Sequence, residues 1–285
     1  FAAALAGRLA NVPVLVKVGN TGYRLDPRVL AAKQPLGWFM AAYMRARLSA
    51  VIATSQAMMK ELKDWGILPD RLHLIPNGIS LPGQTSANER MFIRQQLGIA
   101  DNNWVLTFVG SFHAKKNISI LLKVFAKLVK EYPYTLLLLI GDGPLRSPLE
   151  QEIIKLGLEK NVRLIGQIPA ISVPDYLAAS DGFVLPSQVE GMSNALLEAM
   201  GHGRPCVATN ISGNSDLIHS GVNGWLVPPG DVSALYDVLK YLLDNHEVAQ
   251  GAGNAARVRI SEGFNINRVA DAYIDLYNQL LRKPV

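Results

Sequence analysis

The chain has 285 residues, 49% apolar and 18% charged, which excludes a disordered chain and leaves room for one large or two medium folded units. Its single cysteine, Cys206, excludes an internal disulfide and fits a reducing compartment, and its apolar surroundings mark it as a small core residue. The net charge of +5 is uneven: residues 1–100 hold 12 Lys and Arg against 5 Asp and Glu, whereas residues 101–285 hold 16 against 18. A basic front half points to an anionic partner, a membrane or a phosphorylated substrate, and no aromatic-interleaved basic patch marks a nucleic-acid binder.

The chain begins at Phe1, and its first strand is expected almost at once, over Val12–Val18, so it reads as an N-terminally truncated fragment. That strand runs into Gly19-Asn20-Thr21-Gly22, a loop that can bring backbone close to a ligand and can equally be an ordinary strand-end turn. Residues 35–48 read as a helix bearing Trp38, Phe39 and Tyr43 between Lys33 and Arg45/Arg47, either a core helix, the blander choice, or one lying on a membrane surface. No transmembrane span is expected, because Arg45 and Arg47 interrupt the longest apolar stretch. Ala50–Thr54 is a short strand, Ser55 caps a helix to about Trp65, and Leu72–Ile75 is a strand closed by Pro76-Asn77-Gly78. A Pro/Gly/Ser-rich linker follows, then a helix to about Leu97.

From Val105 onward strands and helices alternate with short connections, which predicts a parallel sheet covered on both faces. Strands are expected at 105–109, 135–140, 162–165, 182–186, 206–208 and 225–227, with helices between them and three late helices to Leu281. Ligands in such sheets bind beyond the carboxyl ends of the strands, where Gly110, Gly141 and Gly166 fall.

Glu190 and Glu198 flank an expected helix start at Ser193. Free amides there, from Gly191, Met192, Ser193 and Asn194, favour an anion, and Glu198 can accept from a ribose diol. By spacing alone the two carboxylates are equally a solvated loop residue and a helix-surface residue. Lys115 and Lys116 follow a strand, and at most one of them points into a cleft, where it would offset a diphosphate. The Gly141-Asp142-Gly143 loop lacks a third glycine, since position 146 is Arg146, so no nicotinamide fingerprint is present. The histidines show no ligand spacing and no Asp-x-Asp occurs, so no metal and no cofactor is expected.

Together these segments resemble the retaining glycosyltransferases of the GT-B fold, in their group 1 or family 4 class. The resemblance rests on PSxxEGxxNxLLEAMxxGxPxVAT (186–209), with VIATS, IPNGI, GDGPL, SDGFVLPS and GVNGWLVPPGD in support. It implies two Rossmann-like doubly wound domains facing a cleft: an incomplete acceptor-side domain over 1–88, a donor domain over 89–262, and a helix over 263–285 crossing back. It implies a hexosyl transfer from a nucleotide diphosphate sugar to a hydroxyl acceptor, a glycan or lipid-linked sugar, with retention and without metal. Glu190 would face the sugar, Glu198 the ribose and Lys116 the diphosphate. The family's basic residue is replaced by Ser111, leaving Lys115 or His113 to compensate, and Asn20 is the acceptor-side candidate. A cytoplasmic protein is expected, with peripheral contact at an anionic inner membrane face. The alternatives are a nucleotide-sugar epimerase, a phosphorylase (whose pyridoxal lysine nothing here marks), or a non-catalytic carbohydrate- or membrane-binding remnant.

Overall fold

The computed structural model describes residues 2–19 and 36–282. Asn20 and its loop lie outside the described residues. The chain opens with a helix the sequence reading did not anticipate, α1 (Ala2–Ala10). It consists mostly of Ala and Leu, good helix formers, but carries no capping residue to announce it. It closes through Asn11 in the left-handed conformation, φ 53°, with the Val12 amide donating to the Gly7 carbonyl at 2.8 Å.

Strand β1 (Leu15–Lys17) pairs in parallel with β2 (Ala50–Ala53), and β2 with β3 (Leu72–Leu74). Helix α2 (Gly37–Arg47) connects toward β2, and α3 (Gln56–Asp64) toward β3. The Ser55 side chain caps α3 by accepting from the Met58 amide at 3.2 Å. Helix α2 buries Gly37 and Ala41 and packs Tyr43 and Met44 on the core of the first unit, while Trp38 and Phe39 are exposed.

A capping box of Ser86 and Glu89 starts α4 (Ala87–Gln96). The second sheet then holds β4 (Trp104–Val109), β5 (Thr135–Ile140), β6 (Val162–Gly166), β7 (Gly182–Leu185), β8 (Cys206–Thr209) and β9 (Trp225–Val227). All described pairings are parallel, in the order β6-β5-β4-β7-β8-β9. β5 reads TLLLLI and is buried throughout, as a central strand covered on both faces requires. Helices α5 (Ile118–Glu131), α6 (Arg146–Lys155), α7 (Val173–Ala179), α8 (Asn194–Gly201) and α10 (Val232–Asp244) cover it, with a single turn, α9 (Asn214–Leu217), before β9. The chain reverses direction across this sheet between β4 and β7, so a crevice opens beyond their carboxyl ends.

Helix α11 (His246–Gly263) packs on α8, and α12 (Ile266–Arg282) returns to the first sheet. There Val269, Leu276 and Leu280 join Ala50, Ile52 and Ile75 in one apolar cluster. The return is pinned by backbone bonds from the Ile79 amide to the Phe264 carbonyl (3.0 Å) and from the Ile266 amide to the Ile79 carbonyl (2.9 Å).

Candidate functional site

Three strand-end loops close one wall of the crevice by packing backbone on backbone. A Cβ added at Gly141 would meet the Gly110 carbonyl oxygen at 2.0 Å, so this approach requires glycine. The Gly141 amide donates to the Gly166 carbonyl at 2.9 Å, and the Phe112 amide to the Asp142 carbonyl at 2.8 Å. The loop after β4 then makes a single turn at Ala114–Lys116.

From that turn Lys116 reaches across the switch point and forms an ion pair with Glu190, on the loop after β7. The same Glu190 oxygen accepts from the Ser187 hydroxyl at 2.7 Å. Glu190 is only 9% exposed, so it is not a solvated loop residue. Lys115 is exposed, and its carbonyl accepts from the Gln188 amide at 2.7 Å, which ties the two loops together. Ser111 and His113 are both exposed at this rim.

Ser193 caps α8, its hydroxyl accepting from the Leu196 amide at 3.4 Å. Gly191, Met192 and Ser193 are buried and Asn194 is exposed. Gly213 presses on this loop with φ +83°, and a Cβ there would meet the Gly191 carbonyl oxygen at 1.8 Å. Glu198 lies one turn beyond Asn194 on the same face of α8. It is half-buried, and burial holds its carboxyl above the usual carboxylate range. Among the described residues no hydrogen bond or ion pair engages its carboxylate.

The sequence reading gave Asn77 no role beyond a turn. Its side-chain amide donates to the Asn194 side chain at 2.9 Å and to the Met192 carbonyl at 3.2 Å, so the first sheet's last loop clamps the start of α8. The Ser55 and Ser212 hydroxyls meet at 3.3 Å, and the Gln56 amide donates to Asp216 at 2.6 Å, across the same divide. Next to the clamp lies a pocket of about 550 Å³ lined by Lys17, Asn77, Asn194 and Tyr273, among others. The Lys17 ammonium stands 5.7 Å from the Tyr273 ring centre. Ser187 was also missed, because its role depends on how the loop between β7 and α8 folds its hydroxyl back onto Glu190 three positions on. Among the described residues no group of three or more His, Cys, Asp or Glu is placed to hold a metal ion.

The family model described as "Glycosyl transferases group 1" matches residues 89–259, and one described as "Glycosyl transferase 4-like domain" matches residues 1–78. The chain is 29% identical over 279 residues to the Escherichia coli UDP-Gal:alpha-D-GlcNAc-diphosphoundecaprenol alpha-1,3-galactosyltransferase, covering 96% of this chain and 71% of that protein. It is 31% identical over 190 residues to the Bacillus anthracis N-acetyl-alpha-D-glucosaminyl L-malate synthase, covering 67% and 49%. The Anabaena HepE structure in complex with UDP and glucose superposes with a TM-score of 0.85 at 25% identity, covering 96% of this chain and 74% of that one. The sucrose-phosphate synthase of Thermosynechococcus elongatus superposes with a TM-score of 0.81 at 25% identity, covering 98% and 71%. The fold is GT-B, with two parallel-sheet units. The model match alone spans more than half of the sequence, and the chain belongs to the group 1 glycosyltransferases.

Proposed function

We infer that the chain transfers a hexosyl group from a nucleotide diphosphate sugar to a hydroxyl acceptor, with retention and without a metal or other cofactor. The observation that carries this reading is the Lys116–Glu190 pair at the switch point of the donor-side sheet, with half-buried Glu198 on the adjoining helix. As the sugar–oxygen bond to the diphosphate breaks, negative charge grows on the leaving phosphate. Lys116 and the amides at the start of α8 offset that charge. Glu190, oriented by Ser187, faces the sugar and stabilises the positive character that develops on its ring. Glu198 accepts from the ribose diol, a role for which an ionised carboxylate, having only acceptors, is suited. With no Asp-x-Asp pair in the sequence, these groups take the part a divalent ion would otherwise play. Asn20 remains the acceptor-side candidate, joined by Lys17 in the pocket beside Asn77.

The HepE complexes contain UDP and UDP-glucose, which supports a uridine diphosphate sugar as donor here. The E. coli relative is named for a diphosphoundecaprenol acceptor, which supports a lipid-linked glycan as acceptor here. The test is nucleotide release from a panel of nucleotide sugars with EDTA present, followed by proton NMR of the product anomer. EDTA-resistant release with the donor's anomeric configuration kept is expected. Release that collapses with EDTA overturns the metal-free reading, and an inverted product overturns retention.

A further inference from the structure

A pocket of about 890 Å³ opens at the amino ends of β4, β7 and β8, on the side of the donor sheet away from the crevice. Its described lining sets four arginines, Arg90, Arg94, Arg204 and Arg257, against two aspartates, Asp101 and Asp181. Asp181 pairs with both Arg90 (2.6 Å) and Arg94 (2.7 Å), so one carboxylate serves two cations. Asp101 is exposed and forms no ion pair among the described residues. Arg204 and Arg257 have only carbonyl partners there. Arg204 donates to the His202 and Ser180 carbonyls at 3.1 and 2.8 Å, and Arg257 to those of Gly201 and Pro82 at 2.6 Å each. Those bonds take two of the five N–H groups of each guanidinium. The carboxyl ends of α7 and α8 offset roughly half a charge each, which still leaves about one positive charge over. Burial, then the like charge of Arg90, pulls the Arg204 guanidinium below the usual arginine range. Burial, with the charges of Arg204 and Arg257, pushes the imidazole of His202, also in the lining, down to about 4. Positive potential is concentrated where the protein supplies no acid to absorb it.

We propose that this pocket binds the phosphate group of a small molecule through Arg204 and Arg257, at a position separate from the crevice. The two positions lie at opposite ends of α8, which starts at Asn194 in the crevice and runs out at His202 in this pocket. A guanidinium presents its N–H groups in a planar fork that matches two phosphate oxygens, and the bonds it makes to a charged acceptor are stronger than those to a carbonyl. An anion here supplies the charge that the neighbouring carbonyls lack. The volume falls within the range of small-molecule pockets, larger than a bare phosphate ion fills. Trp104 and Met91 add apolar surface beside the cations, against which the organic part of a phosphate ester can lie. The site stands apart from the transfer reading and does not depend on it.

The experiment is calorimetric titration of the full chain with inorganic phosphate and with ribose 5-phosphate at neutral pH, with potassium chloride as the control anion. Saturable binding that chloride at the same ionic strength does not reproduce is expected. Tighter binding of ribose 5-phosphate identifies an organic phosphate as the ligand, and equal binding identifies free phosphate; both support the site. Lys116→Met, which alters the crevice, should leave this affinity unchanged. Arg257→Gln should lower it about tenfold or more. Because Arg257 also holds the Pro82 carbonyl, Met91→Glu provides a second variant. Met91 is 55% exposed at the rim, so an acid there should weaken phosphate binding about threefold or more without breaking a buried bond. Nucleoside diphosphate affinity of both pocket variants should match the parent chain's, which shows that the fold is intact. Absence of saturable phosphate binding overturns the proposal, as does binding that Lys116→Met removes or that neither pocket variant weakens. Arg257→Gln that loses stability and keeps full phosphate affinity also overturns it, since arginines that only cap helix ends would behave in that way.

Discussion

Lys116 and Glu190 stand 74 positions apart in the chain and form an ion pair across the switch point of the donor-side sheet. The cation proposed for the diphosphate and the carboxylate proposed for the sugar therefore neutralise each other in the ligand-free chain. On the proposed roles, an incoming diphosphate would compete with Glu190 for Lys116 and leave the carboxylate to the sugar. Lys116→Met should weaken binding of a nucleoside diphosphate about tenfold or more and that of the nucleoside alone hardly at all. Glu190→Gln should lower transfer at least about a hundredfold while nucleoside diphosphate affinity changes little. Calorimetric titration with nucleoside and nucleoside diphosphate, beside transfer rates, checks both. Full activity of Glu190→Gln would remove its assigned role.

Glu198 makes the nucleotide affinity depend on pH. Burial raises its carboxyl above the usual range, so the free chain holds a proton there at pH values where an exposed glutamate is ionised. On the proposed role the ionised form accepts from the ribose diol, so binding would expel that proton. Affinity should therefore fall as pH drops through the raised pKa, before ordinary carboxylates begin to titrate. Titrations across this range with the parent chain and Glu198→Gln provide the check. The variant should bind more weakly at neutral pH and lose the pH step.

The elements legible in the sequence were those with one dominant local cause. TLLLLI can only be a buried strand or helix segment, and its length and flanking turns select β5. Ser55 announced α3 by capping, whereas Ser86, which caps α4, read only as part of a Pro/Gly/Ser-rich linker. Helix α1 was not legible, because AAALAGRLA has propensity but neither cap nor polar face. Within the site, Glu190 and Glu198 stood out by motif, yet their surroundings did not. The Lys116–Glu190 pair depends on β4 and β7 lying side by side, and strand–helix alternation does not reveal strand order. The Asn77 clamp joins two separate sheets, and a Pro-Asn-Gly turn carries no sign of what its side chain will meet.

Gly213 supports the donor loop without facing the crevice chemistry. Its positive φ and its approach to the Gly191 carbonyl leave no room for a Cβ. Gly213→Ala should push Gly191 and Met192 away from their positions at the start of α8. Nucleoside diphosphate affinity should fall about tenfold, with a stability loss of roughly 1–3 kcal/mol. Unchanged affinity in a folded variant would show that the loop does not position the anion site.

At the opposite end of the same sheet, Asp181 holds the fold together. Its two oxygens accept from Arg90 at 2.6 Å, Arg94 at 2.7 Å and the Val105 amide at 2.7 Å. Arg94 is buried, and burial pulls its guanidinium below the usual arginine range, with the Asp181 charge opposing that shift. Asp181→Ala leaves this cation without its counterion and should destabilise the chain by about 3 kcal/mol. Urea denaturation measures the loss. Nucleotide affinity of the folded variant should be unchanged, since Asp181 lies at the amino end of β7, away from the crevice.

His202, at the end of α8, ties stability to pH. Burial and the charges of Arg204 and Arg257 push its pKa down to about 4. In the unfolded chain it takes a proton near its ordinary value, about 6.5. The folded state therefore keeps its full stability above about 6.5 and loses it as pH falls toward about 4, because the unfolded chain binds a proton the folded one refuses. Over that window the loss from this one side chain should reach roughly 2–3 kcal/mol. His202→Gln removes the titrating group while keeping a polar side chain of similar length. Its unfolding free energy should be flatter than the parent's between about pH 7 and pH 4 by that amount. Parallel pH profiles for the two chains would show that His202 is not held neutral.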